Sequence, residues 1–238
     1  MYVHGIINDT HVNGPGNRIG IWAAGCTLKC PGCWNPDTHA HGGGIWWDDI
    51  ALARHILSKN QIEGVTFSGG EPLQQMDSLL RIVDFLHFRR PDLSIGIYTG
   101  YTLKELDKAE YDVFTSCLVG EAPNGMWPPL STWWPELRSH LDFAIMGRFN
   151  AGKVTRQLPL RGSANQELVF FSDRYTEKDF GEQLVEITIA ADGQSSTLTG
   201  FPIGLRDHFQ QGWHSSVVEH SLGKGEVESS SLSVSSIL

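Results

Sequence analysis

A chain of 238 residues can bury one substantial core with room for an appendage, but hardly two full domains. Hydrophobic residues make up 40% and charged residues 19%, the balance of an ordinary soluble globular protein. No apolar run approaches a membrane span, and Met1 to Thr10 lacks the basic, apolar and cleavage regions of a signal peptide, so a cytoplasmic location is expected. The formal net charge of −9 argues against nucleic acid, whose phosphates need clustered Lys and Arg, and against an anionic membrane surface. A small molecule or a protein fits better as partner.

Taken in chain order, Tyr2 to Ile7 and Arg18 to Ala24 read as strands on either side of the turn Asn13-Gly14-Pro15-Gly16. Gly42 to Gly44 precedes a helix from about Trp47 to Ser58, opened by the acidic pair Asp48-Asp49, which suits a helix N-terminus. Ile62 to Phe67 is a strand, followed by Gly-Gly-Glu-Pro. The helix from about Gln75 to Arg90 places Met76, Leu79, Leu80, Val83 and Leu86 on one face and stops at Pro91. Leu93 to Tyr98 is a strand and Leu103 to Glu110 a short helix. Strands alternating with helices predict parallel βαβ units. The expected fold is an α/β incomplete barrel over residues 1–180, with ligands at the C-terminal ends of its strands.

Residues 121–141 hold Trp127, Trp133 and Trp134 among four prolines and read as a packed, irregular insertion. Val185 to Ala190 and Ser196 to Phe201, joined across Asp192-Gly193, predict a hairpin appendage within residues 181–205. Residues 206–238 form a tail, partly disordered by its serine-rich composition. Trp46 and Trp47 are expected to bury against the barrel.

Three of the four cysteines crowd into Cys26-x3-Cys30-x2-Cys33, directly after a strand. An exported protein using disulfides would spread an even set along the chain, so the cluster reads as metal ligation. Short gaps let one loop wrap an iron–sulfur cube and leave one iron open to a substrate. A structural zinc site completed by His39 is the alternative; otherwise His39 and His41 read as solvent-facing or supporting imidazoles. The distant Cys117 reads as a buried small hydrophobe. Ser68-Gly69-Gly70-Glu71-Pro72 falls at a strand end, where two glycines free the backbone to face a ligand; alone, it is equally a tight turn.

The cysteine spacing resembles the signature of the radical S-adenosylmethionine superfamily. Asn13-Gly-Pro-Gly-Asn-Arg18, Cys30-Pro-Gly-Cys-Trp-Asn35 and Arg161-Gly-Ser-Ala-Asn-Gln166 are similar to segments of the activating enzymes of glycyl radical proteins, above all those of anaerobic (class III) ribonucleoside-triphosphate reductase. The resemblance spans residues 2 to 205, including Thr199-Gly-Phe-Pro202, and departs at Met146-Gly147, where family members often carry Asp-Gly.

The resemblance implies a partial barrel of the radical S-adenosylmethionine type. It further implies a 4Fe-4S cluster on Cys26, Cys30 and Cys33, and S-adenosylmethionine held by Gly69, Gly70, Glu71 and Pro72 together with Thr99, Gly100 and Tyr101. The activity implied is reductive cleavage of S-adenosylmethionine to a 5′-deoxyadenosyl radical that installs a glycyl radical in anaerobic ribonucleotide reductase or a similar partner. A low-potential donor such as flavodoxin or ferredoxin would supply the electron. Two other readings stay open: a radical enzyme acting directly on a small molecule or peptide roofed by the Trp-rich insertion, and a non-enzymatic zinc module.

Overall fold

The computed structural model describes residues 1–114, 129–182, 184–189, 196–201 and 230–234. Cys117, Trp127, Asp192-Gly193, Pro202 and most of the expected tail lie outside them. Among the described residues, no helix is long and apolar enough to cross a membrane.

The α/β class is as the alternation of strands and helices predicts. The main sheet contains β1 (Tyr2–Thr10), β2 (Arg18–Ala23), β3 (Ile45–Trp46), β4 (Gly64–Gly69), β5 (Ser94–Thr99), β6 (Phe143–Met146) and β7 (Glu167–Phe170) in the order β3-β1-β2-β4-β5-β6-β7. The four strands β2, β4, β5 and β6 run parallel, with Ala23 beside Gly69, Phe67 beside Ile97 and Thr99 beside Met146. The flanking β1, β3 and β7 are antiparallel and leave the sheet open at β3 and β7. Parallel strands need crossovers, and helices α1 (Asp49–Leu57), α2 (Met76–Arg89), α3 (Leu103–Asp107) and α4 (Leu130–Arg138) lie in the connections.

Alternation along each strand splits the sheet into two faces. Ile19, Ile21, Val65, Phe67, Ile95 and Ile97 join α1 and α2 in the larger core. Phe143 and Ile145 instead belong to a second cluster with Leu160, Tyr175 and Phe180. Arg18 is also fully buried. Its guanidinium donates to the Thr66 and Ser94 hydroxyls and to the carbonyls of Pro15, Val65 and Ser94, so the Asn13–Arg18 turn is tied across β4 and β5.

The Trp/Pro segment is more regular than its composition predicts. Pro129 precedes α4 and Pro135 sits inside it, where it lacks one N–H. Burial of Trp133, Trp134 and Leu137 holds the helix regardless, and the Trp134 indole donates to Asp107 at 3.1 Å. Trp46 reverses the expectation of burial: it is 50% exposed on the two-residue edge strand β3, whereas Trp47 packs partly against the core. Asp48 caps α1 through the Ala51 amide. The appendage is β8 (Val185–Ile189) paired antiparallel with β9 (Ser196–Gly200), and the tail adds β10 (Ser230–Val234) alongside β8. Glu186 anchors this hairpin by accepting from the Thr10 hydroxyl at 2.6 Å and the His11 amide at 2.8 Å.

Candidate functional site

The C-terminal ends of β2, β4, β5 and β6 meet at one edge of the sheet, where an α/β fold leaves a crevice. A pocket lies there, with about 740 Å³ of empty space including its solvent-filled mouth. Cys26, Cys30 and Cys33 line one side; Gly69, Gly70, Glu71, Thr99 and Gly100 line the other. The fold therefore brings together residues spread over more than seventy positions.

The cysteine loop leaves β2 at Gly25, whose amide donates to the Thr38 carbonyl at 2.7 Å, while the Cys26 amide donates to the His39 carbonyl at 3.2 Å. Lys29 and Gly32 take left-handed backbone angles, φ +43° and +71°, and wind the chain back on itself. Cys26 is buried, whereas Cys30 and Cys33 are half-buried, and no disulfide joins them. Backbone amides address the sulfurs: the Asn35 amide lies 3.4 Å from Cys33 Sγ, and those of Lys29 and Leu28 hydrogen-bond Cys26. Burial still pushes the Cys26 thiol up to about 11 against those amides, so ligation there must displace a proton.

The second wall is built by glycine. A Cβ on Gly69, at φ +98°, would lie 2.6 Å from the Ala23 amide nitrogen and carbonyl oxygen, and one on Gly70 would lie 2.4 Å from the Gly25 carbonyl oxygen. No side chain fits either place. The amides of Gly70 and Glu71 donate to the carbonyls of Ala23 and Gly25 at 2.8 and 2.9 Å, lacing this segment to the base of the cysteine loop. Those two N–H groups thus serve the protein, and the missing Cβ atoms let this strand end pack directly on the backbone of Ala23, Gly25 and Thr38.

Glu71 is 1% exposed and faces its own neighbours. Its carboxylate accepts from the Leu73 amide at 3.0 Å, the Thr99 hydroxyl at 2.9 Å and the Gly100 amide at 2.7 Å. Burial pushes its carboxyl up to about 7, opposed by the bonds from Gly100, Leu73 and Thr99 and by the Arg148 charge. Pro72 and Tyr101 do not reach the pocket. Pro72 opens a short 3-10 turn, and the buried Tyr101 hydroxyl accepts from Gln74 at 2.9 Å, the same glutamine whose Oε1 accepts from the Thr27 amide at 3.0 Å. Both stand behind the wall and steady it.

Sequence reasoning missed Tyr98, Gly147 and Phe149, which also line the pocket. It gave Arg161–Gln166 no role, yet this segment braces the pocket rim. Gln166 donates to the Gly147 carbonyl at 3.0 Å, and Asn165 donates to the Arg148 carbonyl at 2.8 Å. Met146 is buried at the end of β6. Trp34 meets Phe149 in a tilted contact and Phe201 edge-on, each with ring centroids 5.5 Å apart, linking the cysteine loop to the hairpin appendage.

His39, the candidate fourth zinc ligand, lines the same pocket as the three cysteines, although among the described residues no three His, Cys, Asp or Glu side chains gather around a single point. Three thiols on one pocket wall, addressed by amide N–H groups, fit a cluster whose irons each take a separate ligand.

Residues 12–169 match the family described as a 4Fe-4S single cluster domain. The anaerobic ribonucleoside-triphosphate reductase-activating protein of Haemophilus influenzae is 32% identical over 161 residues, covering 65% of this chain and 88% of that protein. The chain belongs to this 4Fe-4S single cluster family. The activating protein of Enterobacteria phage T4 is 30% identical over 162 residues, 66% of this chain and 86% of its own length. That of Escherichia coli K12 is 33% identical over 108 residues, 43% and 70% respectively. The family match takes in the cysteine loop, both glycine-rich strand ends and the Arg161–Gln166 brace, and it stops before the hairpin appendage.

Proposed function

We propose that this chain is a radical S-adenosylmethionine activating enzyme whose open sheet serves as an incomplete barrel. Cys26, Cys30 and Cys33 hold the 4Fe-4S cluster, and S-adenosylmethionine lies between them and the strand ends at Gly69–Gly70 and Thr99–Gly100. The observation that carries this reading is the meeting of three thiols and two glycine-rich strand ends around one pocket. When bound, the cluster would supply one electron to the sulfonium of S-adenosylmethionine, releasing methionine and leaving a 5′-deoxyadenosyl radical.

The protein's part is to bind and orient. Three cysteines leave one iron without a protein ligand. Gly69 and Gly70 seat this strand end against the base of the cysteine loop, where any side chain would collide with the backbone of Ala23, Gly25 or Thr38. Glu71 positions Thr99 and Gly100 through its three hydrogen bonds, and Gln166 holds Gly147 at the rim.

The names of the relatives support anaerobic ribonucleotide reductase as the partner. The site of hydrogen abstraction proposed on it is a backbone glycine. A glycyl radical is delocalised by its flanking amides. Direct action on a roofed small molecule is less well supported, because Trp133 and Trp134 are buried in the core on α4. Anaerobically reconstituted protein should carry roughly four irons per chain and absorb broadly near ~400 nm. With dithionite and S-adenosylmethionine it should form methionine and 5′-deoxyadenosine in equal amounts. One tightly held zinc and no sulfide would contradict the proposal.

A further inference from the structure

A buried side-chain polar atom normally has a hydrogen-bond partner, because leaving it unpaired costs free energy. The Tyr98 hydroxyl and the Asn35 Oδ1 atom are both buried without one, and both residues line the pocket. They reach it from different walls. Asn35 belongs to the cysteine loop, where its backbone is already engaged: its amide addresses Cys33 Sγ and its carbonyl accepts from the Thr38 hydroxyl at 2.6 Å. Its side-chain carbonyl oxygen is left over.

Tyr98 lies on β5 beside Ile145 of β6, on the face of the sheet opposite to Ile97 and Thr99. Its ring packs against the cluster that contains Phe143 and Ile145, and so holds the phenol in place. Thr99 turns the other way and bonds Glu71 at 2.9 Å. Burial pushes the Tyr98 phenol far above its ordinary range, opposed by the Arg18 charge. It therefore keeps its proton and can donate.

Tyr98 offers an O–H donor and Asn35 a carbonyl acceptor, so the group that satisfies both carries a lone pair and a donor hydrogen side by side. The order of the strand ends says which part of a ligand meets them. The thiols follow β2, Gly69–Gly70 end β4, Tyr98 lies near the end of β5, and Phe149 lines the pocket just past β6. Neighbouring strands are about 4.8 Å apart, which puts Tyr98 two strands, or roughly 10 Å, from β2. With the amino-acid end of S-adenosylmethionine at the thiols, the middle of the molecule falls beside Tyr98 and the base lies toward Phe149. That middle is the ribose, whose vicinal diol supplies both lone pairs and O–H donors.

We propose that Tyr98 and Asn35 hold the ribose hydroxyls of bound S-adenosylmethionine, Tyr98 donating and Asn35 accepting. The inference rests on the proposed function and adds the side chains that position the sugar, whose 5′-carbon carries the radical.

The test is anaerobic calorimetry on iron-loaded protein with S-adenosylhomocysteine, a probe that lacks the sulfonium and is not cleaved. Tyr98→Phe should weaken its binding roughly tenfold, because a ligand hydroxyl is left unpaired in the pocket. Repeating the titration with the 2′-deoxy and 3′-deoxy forms of the probe locates the contact: one of the two should bind wild type and Tyr98→Phe equally. Asn35→Ala should weaken the parent probe as well and spare the other deoxy form. Without probe, Tyr98→Phe should melt no lower than wild type, since the hydroxyl removed has no protein partner to lose. Equal affinity of wild type and Tyr98→Phe for the parent probe overturns the contact. So does a loss that persists with both deoxy forms, which gives Tyr98 to the base, or a lower melting temperature, which makes it structural. Unchanged probe binding with no glycyl radical formed on the reductase gives Tyr98 to the partner's peptide and also overturns it. Failure of the wild-type protein to bind the probe at all would overturn the proposed function, and this contact with it.

Discussion

Replacing Glu71 by alanine should unfold the strand-end wall more than it disturbs the thiols. The substitution strands one buried backbone donor, the Leu73 amide, and a half-buried one at Gly100 that lines the pocket; the Thr99 hydroxyl still accepts from the Tyr101 amide at 3.1 Å. At about 1–3 kcal/mol for an unsatisfied buried donor, the expected loss is roughly 1–3 kcal/mol, a sizeable part of the ~5–15 kcal/mol that holds a domain together. Urea unfolding of reduced, cluster-free protein, followed by circular dichroism, measures it directly. A loss below about 0.5 kcal/mol would refute the role of Glu71 as the bracket between β4 and β5. The pH dependence gives a second check. Burial raises this carboxyl from 4.5 to about 7, so the folded chain holds the proton more tightly than the unfolded one. Its contribution is complete below about pH 4.5 and is lost as pH rises through about 7. Glu71→Gln cannot titrate, so its deficit against wild type should be larger near pH 5 than near pH 8.

Gly70→Ala should lower both thermal stability and iron retention, because its Cβ would meet the Gly25 carbonyl oxygen at 2.4 Å and that of Thr38 at 2.9 Å; calorimetry and iron analysis report the two effects. Arg18→Lys should cost about 3 kcal/mol or more, since one ammonium cannot reach the acceptors the guanidinium holds on β4 and β5; denaturant midpoints decide it. Cys30→Ala should lose most of its iron, whereas Cys117→Ala should keep it, and equal loss in both would add Cys117 to the ligand set.

Most elements before residue 110 were legible because their patterns are local; the two-residue β3 was not. The face of α2 reads from the spacing of Met76, Leu79, Val83 and Leu86, and β4 and β5 end at the glycine segments that mark them. The strands β6 and β7 were not predicted: each is four residues long, too short for a periodic signal, and their pairing across twenty intervening residues is tertiary. Helix α4 was hidden by Pro135, whose missing N–H is outweighed by the buried Trp133, Trp134 and Leu137. At the pocket, the three cysteines and the glycine segments could be read from residue type and spacing. The inward turn of Glu71 could not, because it depends on where the Thr99–Gly100 end lies in space. Nor could the brace from Gln166 to Gly147, since only the antiparallel pairing of β6 with β7 brings the two together.

The central claim is that this chain installs a radical in a separate protein, and one experiment meets it head-on. Reduced, iron-loaded protein is mixed without oxygen with S-adenosylmethionine and an anaerobic ribonucleotide reductase, and electron paramagnetic resonance is recorded. The account predicts a glycyl doublet on the reductase, growing in step with 5′-deoxyadenosine and methionine and absent when Cys30→Ala protein is used. Steady cleavage of S-adenosylmethionine with no radical on any glycyl radical enzyme supplied would contradict it.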